Sequence, residues 1–538
     1  MKPFRHAALA TALLLSGTAL AQEPVVDAPS GSVSGTLEGS IRAFKGIPYA
    51  VPPVGRMRWR PPAPMQPWSG TRAAKEFGPA CVQPQAKTPT SVYSPAAPMP
   101  VSEDCLTLNI WAPANAKKAP VFFWIHGGAL SGGSSREPMY DGRKLAEQGV
   151  IVVSINYRLG VLGWLAHPQL SAESPQKVSG NYGLLDQMAA LAWVKHNIAA
   201  FGGDPAKVTI AGESAGGLSV MFLMESPLAR GTFHQAIAQS AYMVTMPNLR
   251  KEAYGTPSAE AIGTMLSAGL QAPNLAALRG MDAQAITDGA AKLGFFPFGV
   301  VDGLVLPSQM VEAFDQGKQA PVPILTGFNQ GEIRSLRVLA PKAPATPEEY
   351  EKSIREKYGE FADVFLELYP AATYKESILA TTRDALYGWT SERLARRQGA
   401  LGKPAYVYLW DHGYPAMDDK DLHAFHASEL PYVFGNLTPL PPLWPAIPES
   451  DRPLSDAMLG HWAGFVKTGN PGAAWPAFGK DRAYLHITDA PKAETGLMPG
   501  MYDQYEAVVC RRRAAGVAWN WNVGLASPKL PAKAKGCD

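Results

Sequence analysis

Short apolar runs rich in β-branched and aromatic residues recur along the chain, each followed by a Gly-rich turn and then a longer segment of helical spacing. Seven runs predict strands, at 107–111, 121–125, 150–156, 207–211, 236–239, 322–326 and 405–410. Runs that stay apolar without alternating are expected of strands buried on both faces, as parallel strands are. Between the third and fourth runs, Leu184, Met188, Leu191 and Ile198 fall at helical spacing over 184–200. Gly202 and Gly203 then close the helix, because glycine accepts positive φ. Strand, helix, strand is the grammar of an α/β fold built on an open, mostly parallel sheet. Such sheets bind ligands beyond the carboxyl ends of their strands, so chemistry is sought in the turns that leave them.

One turn stands out. The run at 207–211 passes into Gly212-Glu213-Ser214-Ala215-Gly216 and then into an apolar helical stretch from Leu218. This is G-x-S-x-G with a strand before it and a helix after it, the context in which the serine is an exposed nucleophile. So sharp a turn needs Gly212 and Gly216, and the helix N-terminus with the Ala215 amide can stabilise developing negative charge. A hydroxyl is a poor nucleophile until a base takes its proton, so a histidine oriented by an acid must lie nearby in space. Of ten histidines, His6 falls in the leader described below. The chain order serine, acid, histidine then leaves His234, His412, His423, His426, His461 and His486. A position on a loop after a late strand narrows these to His412, His423 and His426. For the acid, the run at 322–326 continues into Gly327 and ends on Glu332, with Asp302 as competitor.

Composition narrows the functions the chain could have. Its 538 residues are 46% apolar and 18% charged with a formal net charge of +3, which gives no basic excess for nucleic acid to neutralise. No linker-like run divides it, so one large domain over 22–538 is expected. Residues 1–21 resemble an export signal: Lys2 and Arg5, an apolar stretch too short to span a bilayer, then Ala19-Leu20-Ala21 as a small-x-small cleavage site. A secreted or periplasmic location follows, with no membrane span in the mature chain. Export permits disulfides, and the clustering of Cys81 with Cys105 and of Cys510 with Cys537 favours those pairs. No pair has zinc-site spacing and no histidine cluster accompanies the cysteines, so no metal is expected, and an activated serine needs no organic cofactor.

A series of longer motifs runs through the chain in order: Phe44-Lys-Gly-Ile-Pro-Tyr-Ala, Ser102-Glu-Asp-Cys-Leu-Thr-Leu-Asn-Ile-Trp, His126-Gly-Gly, Asn156-Tyr-Arg-Leu-Gly, Gly180-Asn-Tyr-Gly-Leu-Leu-Asp-Gln, Phe201-Gly-Gly-Asp-Pro and the Ser214 turn. With these the sequence resembles the type-B carboxylesterases of the cholinesterase-like α/β-hydrolase family, from about Gly35 to His461. The resemblance implies a Ser-His-Glu triad of Ser214, His426 and Glu332. Glu332 fits the family's G-x-N-x-x-E turn, and His426 fits H-x-x-E-x-x-[FY]-V-F-G ahead of Glu429. His412 and His423 then become loop residues. It also implies an oxyanion hole from the amides of Gly128, Ala129 and Ala215, and places Glu213 and Ser240 as supporting residues around the triad.

Departures from the family pattern bear on substrate. Ala129 stands where many relatives have glycine, which puts a methyl beside the alcohol pocket and disfavours bulky tertiary alcohol esters. The loop between Cys81 and Cys105 carries Tyr93 and lacks the tryptophan with which cholinesterases bind choline, so choline esters are not the expected substrate. Immediately after the acid come Arg334 and Arg337, whose forked donors suit an ester that carries a carboxylate. The expected function is a serine carboxylic ester hydrolase acting on small-molecule esters through an acyl-enzyme. The alternatives are an amidase or thioesterase with the same triad, and a catalytically silent binding module.

Overall fold

The computed structural model describes residues 23–519 and 522–537, so the leader expected over 1–21 lies outside the described residues. Eleven strands form the central sheet: β1 (Thr36–Glu38), β2 (Ile41–Pro48), β3 (Thr107–Pro113), β4 (Ala119–Ile125), β5 (Ile151–Ile155), β6 (Gly203–Glu213), β7 (Gln235–Gln239), β8 (Ile324–Asn329), β9 (Ala405–Trp410), β10 (Tyr484–Ile487) and β11 (Lys492–Glu494). Their spatial order is β11-β10-β9-β8-β7-β6-β4-β5-β3-β2-β1. From β5 to β10 every neighbouring pair is parallel, and the flanking pairs on either side are antiparallel.

Successive side chains on a strand point to opposite faces, and here each face meets its own apolar layer. Val121, Phe123 and Ile125 of β4 join one layer and Phe122 and Trp124 the other. On β9, Val407 and Leu409 face the first and Tyr406, Tyr408 and Trp410 the second. Burial on both faces explains why the runs read from the sequence showed no alternation. It also corrects one of them. The run at 107–111 was expected among parallel strands, yet β3 pairs antiparallel with both β2 and β5. Leu108 and Ile110 enter one layer and Trp111 the other, so continuous apolarity reported burial, which carries no information about direction.

The expected helix over 184–200 is α1 (Tyr182–Asn197), continued by a 3₁₀ turn over Ile198–Phe201. Gly202 stops it at φ +92°, where a Cβ would lie 2.3 Å from the carbonyl oxygen of Ala116. Cys81 is bonded to Cys105 and Cys510 to Cys537, with S–S distances of 2.03 and 2.04 Å, the pairs their clustering favoured. Among the described residues no helix is long and apolar enough to cross a membrane. These features are compatible with an extracellular or periplasmic protein.

Candidate active site

Ser214 sits between the end of β6 and the start of α2 (Ala215–Glu225), at φ +56° and ψ −120°. A non-glycine residue is strained there, and its surroundings hold it in place. Its N–H donates to the carbonyl of Gln239 at the end of β7 (3.0 Å), and its carbonyl accepts from Leu218 (2.8 Å). A Cβ on Gly216 would come within 2.1 Å of the Ile125 carbonyl oxygen, and one on Gly212 within 2.5 Å of the Gly216 carbonyl. The two glycines of G-x-S-x-G therefore let α2 start against the end of β4. Ser214 remains partly exposed while Glu213 and Ala215 beside it are buried.

The loop leaving β4 lies against this turn. A Cβ on Gly127 would meet Glu213 Oε2 at 3.0 Å and Ser214 Cβ at 3.2 Å. Gly128, Ala129 and Leu130 follow at φ +103°, +54° and +57°, with Gly128 exposed and Ala129 partly so. Ala215 opens α2, where backbone N–H groups lack helical partners. His126 anchors the loop: its ring stacks on Tyr157 at 4.6 Å and the Tyr157 hydroxyl donates to its carbonyl at 2.9 Å. Burial pushes its imidazole down to about 4, so it stays neutral.

The acid and the histidine come from two loops that are bound tightly to each other. β8 ends at Asn329, whose N–H donates to Glu332 Oε1 at 2.9 Å, and Glu332 Oε2 accepts from His426 Nδ1. The Asn329 side chain donates to the Phe425 carbonyl (2.8 Å) and to Glu429 Oε2 (2.7 Å). Gln239 donates to the other oxygen of Glu429 at 2.9 Å and accepts from the Trp462 indole at 2.9 Å. Gly331 donates to the Ala424 carbonyl at 3.0 Å, so close that a Cβ on it would sit 1.6 Å from the His423 carbonyl oxygen. The asparagine of G-x-N-x-x-E and the glutamate of H-x-x-E thus join the Glu332 turn to the His426 loop. Sequence reasoning gave no role to Asn329, Gln239 or Trp462, although Asn329 and Glu429 lay within motifs it had singled out.

Three buried carboxylates, Glu213, Glu332 and Glu429, surround His426, with Glu213 Oε1 at 3.1 Å from Nε2. Burial alone lowers the imidazole pKa, but Glu213 and Glu332 outweigh it and hold His426 above the ordinary range. Glu213 is itself pushed up by burial, so the pair titrates as a unit. A base must be neutral to accept a proton. The acid limb of kcat/KM is therefore expected above the ordinary imidazole value of about 6.5, with the rate rising as pH passes through it. In Glu213→Gln that limb moves to lower pH. An unmoved limb in a pH–rate profile of this variant would uncouple Glu213 from His426.

Other residues singled out from the sequence lie around this cluster. Ser240, at φ +44°, donates its N–H to Gly327 at 2.9 Å, while its hydroxyl is buried without a hydrogen-bond partner among the described residues. His412 lies between Asp451 and Asp489 (2.8 and 2.7 Å), and His423 between Asp411 and Asp418, each at 3.0 Å. Asp302 caps its own turn through the N–H groups of Leu304, Val305 and Leu306. Arg334 pairs with Asp421 and with Glu376 (2.7 Å), and Arg337 pairs with Asp421. Arg334 also lines a cavity of about 250 Å³ beside the Glu332 turn, together with Gln330, Glu376 and Arg383.

Residues 22–506 match the family described as "Carboxylesterase family". The chain is 38% identical to a fumonisin B1 esterase of Sphingopyxis macrogoltabida over 501 residues, covering 88% of this chain and 89% of that protein. It is 36% identical to a para-nitrobenzyl esterase of Bacillus subtilis (strain 168) over 484 residues, covering 87% and 95%. A solved PNB esterase structure superposes with a TM-score of 0.74 at 32% identity, covering 90% of this chain and all of that one.

Proposed function

The chain belongs to the carboxylesterase family and has its α/β-hydrolase fold, and from that premise we propose that it hydrolyses esters through a Ser214-His426-Glu332 triad and an acyl-enzyme. The observation that carries the reading is the buried Glu332–His426 contact, with His426 Nε2 reaching the serine turn at Glu213, the residue next to Ser214. Ser214 Oγ attacks the ester carbonyl carbon as His426 Nε2 takes its proton. The oxyanion accepts hydrogen bonds from the N–H groups of Gly128, Ala129 and Ala215, and the imidazolium is stabilised by Glu332. The C–O bond to the leaving group breaks, and His426 returns the proton to the departing alkoxide, releasing alcohol. Water then gives a proton to His426 and attacks the acyl carbon, and as that intermediate collapses the bond to Ser214 Oγ breaks and His426 returns the proton to it, freeing the acid and restoring the enzyme. Export through the leader belongs to the same proposal.

Matched esters, amides and thioesters of one acid, tested with an oxyester burst, separate the alternatives that share the triad. The expected result is fastest turnover of the oxyester with an acyl adduct on Ser214 visible by mass spectrometry. Faster amide or thioester turnover replaces the ester reading, and no turnover of any leaves a binding module. The finer reading, a preference for esters bearing a carboxylate, rests on Arg334 and Arg337. Asp421 already engages both guanidiniums, so an anionic ester must share or displace it. In Arg334→Ala and Arg337→Ala, a loss of ~10-fold or more in kcat/KM on the anionic ester alone, the size of one charged hydrogen bond, supports the preference. Equal effects on neutral and anionic esters dismiss it.

A further inference from the structure

The loop closed by the Cys81–Cys105 disulfide reaches across the site and places Tyr93 against the histidine loop. The Tyr93 hydroxyl donates to the main-chain carbonyl of His426 at 2.9 Å, and with its hydrogen committed there it accepts from Ser335 Oγ at 2.5 Å. Ser335 belongs to the turn that carries Glu332, so one phenol links three segments: the disulfide loop, the acid turn and the histidine loop. The ring stands at 6.4 Å from each of the rings of Phe425, His426 and Trp444. Within its own loop, the backbone N–H groups of Thr90 and Ser91 donate to Ser94 Oγ at 3.0 and 3.1 Å, and that of Tyr93 donates to Ser91 Oγ at 3.3 Å, which holds the turn presenting the tyrosine.

The histidine loop needs such a support. Ala424 and Ala427, on either side of His426, occupy left-handed backbone at φ +43° and +67°. L-residues with a Cβ avoid this region and keep it only where neighbouring contacts over-determine them. The Phe425 carbonyl is held by Asn329 from the sheet side, and the His426 carbonyl by Tyr93 from the disulfide loop. We propose that Tyr93 is a positioning residue for His426: its hydroxyl fixes the strained backbone that aims the imidazole between Glu332 and Ser214. The proposal rests on the triad reading. Burial raises the Tyr93 phenol well above its ordinary range, and the charges of Glu213, Glu332 and Glu429 push the same way, so the hydroxyl keeps the proton it donates.

Tyr93→Phe tests this, since the ring and its contacts remain and only the hydroxyl is lost. Loss of one neutral hydrogen bond that acts through His426 is expected to lower kcat about five- to tenfold. KM stays within about twofold, and the factor is the same for esters of several different alcohols, because the tyrosine acts through the imidazole and does not touch substrate. Ser335→Ala, which leaves the bond to His426 in place, changes kcat by less than about twofold. A lowered melting temperature with unchanged kcat would make Tyr93 structural only and overturn the proposal. A rise in KM alone, or a loss that varies with the alcohol, would make it a substrate contact and overturn it equally. His426→Ala is measured alongside. If that variant keeps turnover the triad reading itself fails, whereas an inactive His426→Ala with a fully active Tyr93→Phe removes only the role of Tyr93.

Discussion

Ser214→Ala is expected to lower kcat by ~10⁴-fold or more while the melting temperature stays close to that of the unsubstituted protein. The two halves of this expectation come from different features. Ser214 starts α2 but its side chain makes no capping hydrogen bond, so alanine forfeits no helix cap. The left-handed backbone is as costly for alanine as for serine, and the contacts that hold it, from the Ser214 N–H to Gln239 and from Leu218 to the Ser214 carbonyl, belong to the main chain. The variant therefore folds as before. What disappears is the only protein atom in the proposed mechanism that bonds to the acyl carbon. The oxyanion amides of Gly128, Ala129 and Ala215 persist and account for a residual rate above the uncatalysed one. Turnover of an activated ester, measured with a melting curve on the same sample, decides the point. Near-normal turnover by folded Ser214→Ala would end the triad reading, and collapse of the fold would show a structural role for the hydroxyl.

The sequence made the serine turn legible because its chemistry is local: strand, glycine, serine, glycine and helix lie within one stretch of chain, and the glycines answer to contacts with the strand next door. The acid and the histidine became legible only through longer motifs. Periodicity alone left His412, His423 and His426 equivalent, since all three follow a late strand. What distinguishes them is which acids they meet: the nearby Asp411 and Asp418 for His423, and acids distant in the chain for the other two, Asp451 and Asp489 for His412 and Glu332 for His426. Tyr93 was visible as a residue lacking an expected tryptophan's function. Its bond to His426 was not visible, because the partner is a main-chain carbonyl, which every residue possesses. Strand direction failed for β3 on similar grounds, since apolar content records burial and pairing direction depends on the connection.

Glu332→Gln preserves volume and burial and yet is expected to reduce kcat by about 10³- to 10⁴-fold. Glu332 is an acceptor on both oxygens, from the Asn329 N–H on one and from His426 Nδ1 on the other. A glutamine has one oxygen and one NH₂. If the oxygen faces His426, the NH₂ confronts the Asn329 N–H, and two donors meet in a site with no exposure to water. If the amide turns over, the NH₂ faces Nδ1 and favours the tautomer with its proton on Nε2, which can no longer accept from Ser214. The first arrangement sets two donors against each other, at a cost of about 1–3 kcal/mol, and the second removes the acceptor that catalysis needs. The imidazolium formed during attack also loses its counter-charge. Burial already acts against the charged imidazole, and with only Glu213 and Glu429 left to oppose it, the His426 pKa falls. The acid limb of kcat/KM therefore moves to lower pH even as the plateau drops. That combination separates a triad role from general damage, which lowers the plateau without moving the limb. Combining Glu332→Gln with Ser214→Ala should cost little more than Ser214→Ala alone, as residues acting as one unit do. Full additivity of the two losses, or wild-type turnover by folded Glu332→Gln, would mean that another acid orients the base.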